Sequence, residues 1–250
     1  MKRVQPLAFL SILPGIVFFA SSFSETRSAG ETVINEMYQA WKGKWYQTIA
    51  FEQEAIFYTD KKVAKTEIWQ ELLSSPGNLN IRFNGFQTGN GAIYANDSAY
   101  RYQNGVLQSK RKETNFLQLL GFDVYFYAPE ITVSKLKELG FDLNKSYVRT
   151  SSNGKVTVIG TSNEQDRTSS QFWVENKRNL VIRAIKNTGG TIRDVEFGKY
   201  QKIEKNWVAT AMIFTNGTDT VFVEKYFNIR FPKQVDKQLF NPDNFSKAKW

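Results

Sequence analysis

The chain has 250 residues, carries a formal net charge of +9, and contains neither Cys nor His. Without Cys there is no disulfide, no thiol nucleophile and no zinc–thiolate site, and without His the commonest general base and metal ligand are missing. The surplus of Lys and Arg fits an anionic membrane surface better than nucleic acid, and it fits plain solubility equally well.

At the N-terminus Lys2 and Arg3 precede an apolar run, Leu7 to Ala20, interrupted by Pro14 and followed by Ser21-Ser22. A basic start, a short apolar stretch and small residues, in that order, predict a cleaved secretory signal over residues 1–24. The run falls short of the ~20 residues that a spanning helix needs. Cleavage would remove Lys2 and Arg3 and take the net charge from +9 to +7. Residues 25–250 then form one domain, since all-β barrels of this size are commonly single units and no Pro-, Gly- or Ser-rich linker divides them.

Ser28 and Glu31 form a capping-box pattern, and Ile34, Met37, Tyr38 and Trp41 follow at helical spacing, so a short amphipathic helix is expected to end near Gly43. From Trp45 the period changes to two, with Ile49, Phe51 and Phe57 on one parity and Glu52 and Glu54 on the other. Strands are expected over residues 64–73, 79–83, 92–95 and 98–103, punctuated by Lys61-Lys62, Ser75-Pro76-Gly77, Asn96-Asp97 and Asn104-Gly105. Between Thr114 and Asn144 two short helices are expected, 115–120 and 133–139, capped by Thr114 and Thr132 and closed by Gly121 and Gly140. Alternation then resumes through 146–150, 156–159, 171–175, 180–186, 192–200, 207–215 and 220–231, with Asn153-Gly154 and Asn216-Gly217 among the turns. Regular strands at this spacing indicate one large antiparallel sheet or barrel. The tail, with Phe240, Phe245 and Trp250, is expected to pack across a rim.

The run Phe51-Glu52-Gln53, Glu67-Ile68-Trp69, Pro76, Leu79-Asn80-Ile81-Arg82-Phe83 and Tyr100-Arg101-Tyr102-Gln103-Asn104-Gly105 resembles the periplasmic lipoprotein-carrier family, the LolA- and LolB-like lipoprotein-sorting proteins. Phe172-Trp173-Val174-Glu175 followed by Leu180 to Arg183 is similar to an aromatic strand, turn and strand of the same family. The resemblance implies a mainly β fold, an open antiparallel β-barrel with a few short helices as a lid, whose apolar interior accepts the acyl chains of a lipoprotein. It also implies a periplasmic location, an acylated lipoprotein or lipid as partner, an inner-membrane release protein and an outer-membrane acceptor, transient membrane-surface contact, and a monomer. No nucleic acid, cofactor, metal or catalytic residue is part of that expectation. The chain departs from the family in having Ser75 before Pro76, where the carriers have an Arg that helps to time release, and in lacking the lipidated Cys of the outer-membrane member.

The expected ligand wall is therefore Phe51, Trp69, Leu79, Ile81, Phe83 and Tyr100, and the expected lid is Leu117, Leu120, Phe122 and Phe126. An aromatic content of 15% favours a lined cavity, while one-sided burial by itself would make the same stripe plain core. Glu52 and Glu54 have a spacing that glycoside hydrolysis could use, but their parity points them to solvent. An exported carbohydrate- or protein-binding β module without a lipid cavity is the competing expectation.

Overall fold

The structure is a computed structural model that describes Met1, residues 27–151 and residues 154–250. The expected signal segment, apart from Met1, and Asn153 of the Asn153-Gly154 turn lie outside the described residues.

In chain order the elements are α1 (Ala29–Trp41), β1 (Thr48–Thr59), β2 (Lys62–Ser74), β3 (Asn78–Phe83), β4 (Gly91–Ala95), β5 (Ser98–Gln103) and β6 (Val106–Lys112). Then come α2 (Phe116–Gly121), α3 (Pro129–Glu138), β7 (Ser146–Ser151), β8 (Gly154–Ile159), β9 (Gln171–Glu175) and β10 (Leu180–Thr188). The last strands are β11 (Thr191–Ile203), β12 (Asn206–Asn216) and β13 (Asp219–Arg230). All 13 strands belong to one antiparallel sheet, ordered β6-β5-β4-β3-β2-β1-β13-β12-β11-β10-β9-β8-β7. Two meanders are joined where the first and last strands pair, Gln53 lying opposite Tyr226 and Phe57 opposite Phe222. The end strands β6 and β7 do not pair with each other, so the sheet stays open.

The helices pack on one face, hereafter the helical face. There α1 contributes Ile34 and Met37 and α2 contributes Leu119 and Leu120 to a core shared with Ile49, Leu73, Phe172, Leu180 and Phe197. Gly30 lets α1 approach closely, because a Cβ there would stand 2.8 Å from the Leu143 carbonyl oxygen, which accepts a hydrogen bond from its own N–H at 3.0 Å. The capping box is present: Glu31 N–H donates to Ser28 Oγ at 3.3 Å, and Ser28 N–H donates to Glu31 Oε2 at 3.1 Å. Ser28→Ala is expected to cost about 1 kcal/mol, read as a drop of about 2–4 °C in melting temperature.

Three local expectations are corrected. Asn115, not Thr114, caps α2, its side chain accepting from the N–H groups of Leu117 and Gln118. Helix α3 starts four residues before 133, at Pro129, whose ring suits a first helical position, and Thr132 is buried inside it rather than capping it. The edge strand β6 was not anticipated: Val106, Leu107 and its basic residues are nearly all exposed, and an edge strand wet on both faces has no apolar parity to reveal it.

The tail crosses the opposite face of β1–β5 rather than a rim. Phe240 packs with Ala50 and Leu72, and Phe245 packs with Ile93, Ala95 and Tyr102. Parts of β1–β5 are therefore covered on both faces.

Candidate functional site

Strand alternation assigns each expected wall residue to a face. Phe51, Trp69, Leu79, Ile81 and Phe83 all lie on the helical face: Phe51 and Leu79 belong to its core, Ile81 packs against it, and Trp69 and Phe83 meet at a centroid distance of 4.4 Å. Tyr100 does not join them. It lies opposite Ile93, packs with the Ile93–Phe245 cluster, and so faces the tail. The expectation failed there because the tail makes a second apolar surface, so an aromatic side chain on β5 is at home on either side.

The residues expected as a lid lie in the helical layer. Leu120 is fully buried, and Leu117, Phe122 and Phe126 pack against the same core. Under that layer the interior is filled. Trp45, Tyr46, Phe122, Phe197 and Tyr200 close to a gap of ≈ 10 Å³, room for about one water molecule.

Beyond the helices the same face is open. Phe83, Trp69, Phe57, Phe222 and Phe214 stand on five adjacent strands, β3, β2, β1, β13 and β12, and all five are half-buried. Their centroids are 4.7 Å apart for Phe57 and Phe222, 5.1 Å for Phe214 and Phe222, and 5.8 Å for Trp69 and Phe222. Tilted ring pairs at these distances are attractive beyond their buried area. The Trp69 indole N–H donates to Glu67 Oε2 at 2.7 Å, which fixes its ring in the row. Phe57, Phe214 and Phe222 were not among the expected wall residues, although Phe57 sits at the same parity as Phe51 and was readable.

A polar cluster interrupts this apolar face between the row and the core. Gln53 on β1 lies between Trp69 and Tyr226 in the ladder, Glu71 lies opposite Phe51 and Ile81, and Glu224 lies opposite Ala55 and Met212. The Tyr226 hydroxyl donates to Glu224 Oε2 at 2.7 Å. Burial pushes the Glu224 carboxyl up to about 7, against the Tyr226 hydroxyl and the Gln53 amide, which favour its charged form. Burial and then repulsion from Glu224 hold Glu71 well above the usual carboxylate range. Gln53 is completely buried with its amide toward Glu224, yet neither of its polar atoms reaches full hydrogen-bond geometry with any described group. Glu52 and Glu54 take the other face, as expected, where Lys225 Nζ lies 3.2 Å from Glu54 and the Asn228 amide donates to Glu52 at 2.9 Å.

A second buried acid pins the helical layer to the β2–β3 turn. Asp123 Oδ2 accepts from Gly77 N–H and from Gln118 Nε2, each at 3.1 Å, with the buried Ser75 hydroxyl beside it. Burial raises its carboxyl to about 7. Among the described residues no helix is long and apolar enough to cross a membrane, and no group of three or more acidic residues is placed to hold a metal.

No protein-family model matches the chain, and no curated protein matches it. Its fold is similar to that of a DUF1329 family protein from Desulfovibrio piger, at 15% identity and a TM-score of 0.53 over 85% of this chain and 95% of that one. A domain classed as an outer membrane lipoprotein-sorting protein, from Vibrio parahaemolyticus, matches at 14% identity and a TM-score of 0.54, over 87% of this chain and 98% of that one. A LolA superfamily protein from Nitrosomonas europaea matches at 10% identity and a TM-score of 0.53, over 86% and 98%. At such identities the likeness is one of fold: a LolA-like open antiparallel sheet with a helical layer on one face.

Proposed function

We infer that this protein is an exported, periplasmic carrier that holds the acyl chain of a lipoprotein or lipid against the helical face and releases it to a membrane-bound acceptor. The observation that carries this reading is the half-exposed row Phe83–Trp69–Phe57–Phe222–Phe214, an apolar band across five strands beside a filled, helix-covered core. Burial of an acyl chain there gains about 0.8 kcal/mol per CH₂ and needs no catalytic group. The lipoprotein-sorting and LolA superfamily structures of the same fold support the acyl ligand by analogy of fold. Four of the five rings are Phe, which carry no hydroxyl or N–H for a sugar, so the row favours an acyl chain over a carbohydrate. Because the gap under α2 admits about one water, the chain lies along the open row, and deeper entry requires the helical layer to move.

The purified protein is expected to bind a fluorescent fatty acid, and native mass spectrometry of protein from its own host is expected to find bound lipid. Trp69→Ala and Phe222→Ala are each expected to weaken fatty-acid binding roughly tenfold, the ~1.4 kcal/mol of a lost aromatic contact. Their melting temperatures are expected to change little, since both rings are half-exposed. A protein that binds no fatty acid and never carries lipid would overturn the reading.

A further inference from the structure

We propose that Gln53, Glu71, Glu224 and Tyr226 form a headgroup site for the cationic end of an amphiphile, a primary ammonium, whose apolar chain lies along the adjacent aromatic row. The proposal rests on the acyl-binding reading and specifies the ligand class within it.

Two carboxyls share an apolar surface with no basic partner among the described residues. The charge that acts on Glu71 is the like charge of Glu224, and the groups that favour ionised Glu224 are neutral, a phenol and an amide. Neighbouring strands offer no counter-ion: β3 presents Ile81 beside Glu71, and β12 presents Met212 beside Glu224. Lys65, farther along β2, is taken up by Glu67 at 2.8 Å. Like charges in a poorly solvated site cannot both ionise unless a cation joins them, so a bound cation would let both carboxyls act as acceptors.

Gln53 is the second, independent indication. A fully buried amide with both polar atoms unsatisfied is costly unless something it can bond comes to it, and this one stands between the two acidic strands. The ring faces complete the chemistry. Phe51 and Tyr226 lie 4.3 Å apart beside the carboxyls, and the row already takes a cation at one point, Lys65 Nζ standing 4.4 Å over the Phe57 ring. A cation held between carboxylates and aromatic faces, with an apolar band leading away, matches an alkyl ammonium and disfavours a fatty acid anion.

Calorimetric titrations below micelle-forming concentrations can compare decylammonium, decanol and decanoate, which share one chain. At pH 8 the cation is expected to bind at least tenfold tighter than the alcohol, with the anion weakest. The preference is expected to shrink severalfold at pH 5, where protonation silences the carboxyls while the alkylammonium keeps its charge. It is expected to vanish in Glu71→Gln/Glu224→Gln, in which cation and alcohol then bind alike. Equal affinity for cation and alcohol at pH 8 would overturn the headgroup site and leave acyl binding standing. A cation preference that survives in the double variant, or that is the same at both pH values, would overturn its location. Failure of all three ligands to bind would overturn the acyl-binding reading itself. The pH comparison uses the unmodified protein, so the proposal stays testable if the double variant does not fold.

Discussion

Phe245→Ala is expected to destabilise the protein by about 3–5 kcal/mol, the range for removing a fully buried Phe, and to lower the melting temperature by about 10 °C or more. The ring is 1% exposed, stacks on Tyr102 with centroids 3.8 Å apart and planes 4° apart, and lies 3.5 Å from the Arg82 guanidinium carbon. Arg82 is itself buried and meets no carboxylate: its Nη2 donates to the carbonyl oxygens of Phe245 and Ala248, and burial lowers its pKa to about 10. Losing the ring opens a cavity beside an already poorly solvated cation, so two penalties fall together. The Asn80 amide donates to the Leu239 carbonyl and the Tyr102 hydroxyl to the Pro242 carbonyl, so the tail is also tied by polar contacts and should release as a unit. Phe245→Ala is therefore also expected to make the tail a preferred site of limited proteolysis. A drop of under about 1 kcal/mol with an intact tail would show that the tail's docking adds little to the stability of β3–β5.

The sheet itself was legible in the sequence. Period-two alternation and the Asn- and Gly-bearing turns placed twelve of the strands, because one apolar face per strand leaves a readable parity. What parity cannot carry is which face an apolar residue meets when both are covered. On β5 Tyr100 is expected on the wall, yet it packs with Tyr102 against the cluster of Phe245, which is held to Arg82 across 163 residues of chain. The tail's Phe240, Phe245 and Trp250 follow no period, so nothing local could say where they dock. The residue that marks their destination is Arg82, an Arg on a strand of strong apolar alternation, whose buried carbonyl partners become visible only in three dimensions.

Five of the six expected wall residues share the helical face, but the aromatic row was only half anticipated. Phe214 and Phe222 come from β12 and β13, which reach Phe57 only because the sheet joins its first and last strands, a pairing that local pattern does not specify. The polar cluster did leave a signal. Gln53 sits at the parity of Phe51 and Phe57, and Glu71 at the parity of Trp69 and Leu73, so each is a polar residue where the pattern calls for an apolar one. Glu52 and Glu54 have a close spacing that suggests chemistry, but their parity is that of solvent.

Asp123→Asn is expected to stabilise the protein at pH 8 by on the order of 3–4 kcal/mol and to change little at pH 4. The carboxyl has an ordinary value of 3.8 and is raised to about 7 in the folded chain, chiefly by burial. A raised carboxyl favours the folded state while protonated, so its contribution is fully present below about pH 4 and is lost as pH rises through 7. Asn reproduces the protonated group without the penalty: its oxygen can accept from Gly77 N–H and Gln118 Nε2, and its amide can donate toward Ser75. Glu71 and Glu224 slope the wild-type curve in the same direction, so the informative quantity is the difference between variant and wild type at each pH, read from urea unfolding. If the variant loses stability equally at pH 4 and pH 8, Asp123 is ionised in the folded protein and its charge supports the turn, against its burial. Asp123 ties the helical layer to the Ser75-Pro76-Gly77 turn, so the burial cost of ionising it falls on that contact as pH rises, although its hydrogen bonds to Gly77 and Gln118 favour the charged form. Release of decanol, a neutral chain that ionised Glu71 and Glu224 do not repel, is then expected to quicken from pH 6 to pH 8 in the wild type and to stay near its pH 6 rate in Asp123→Asn.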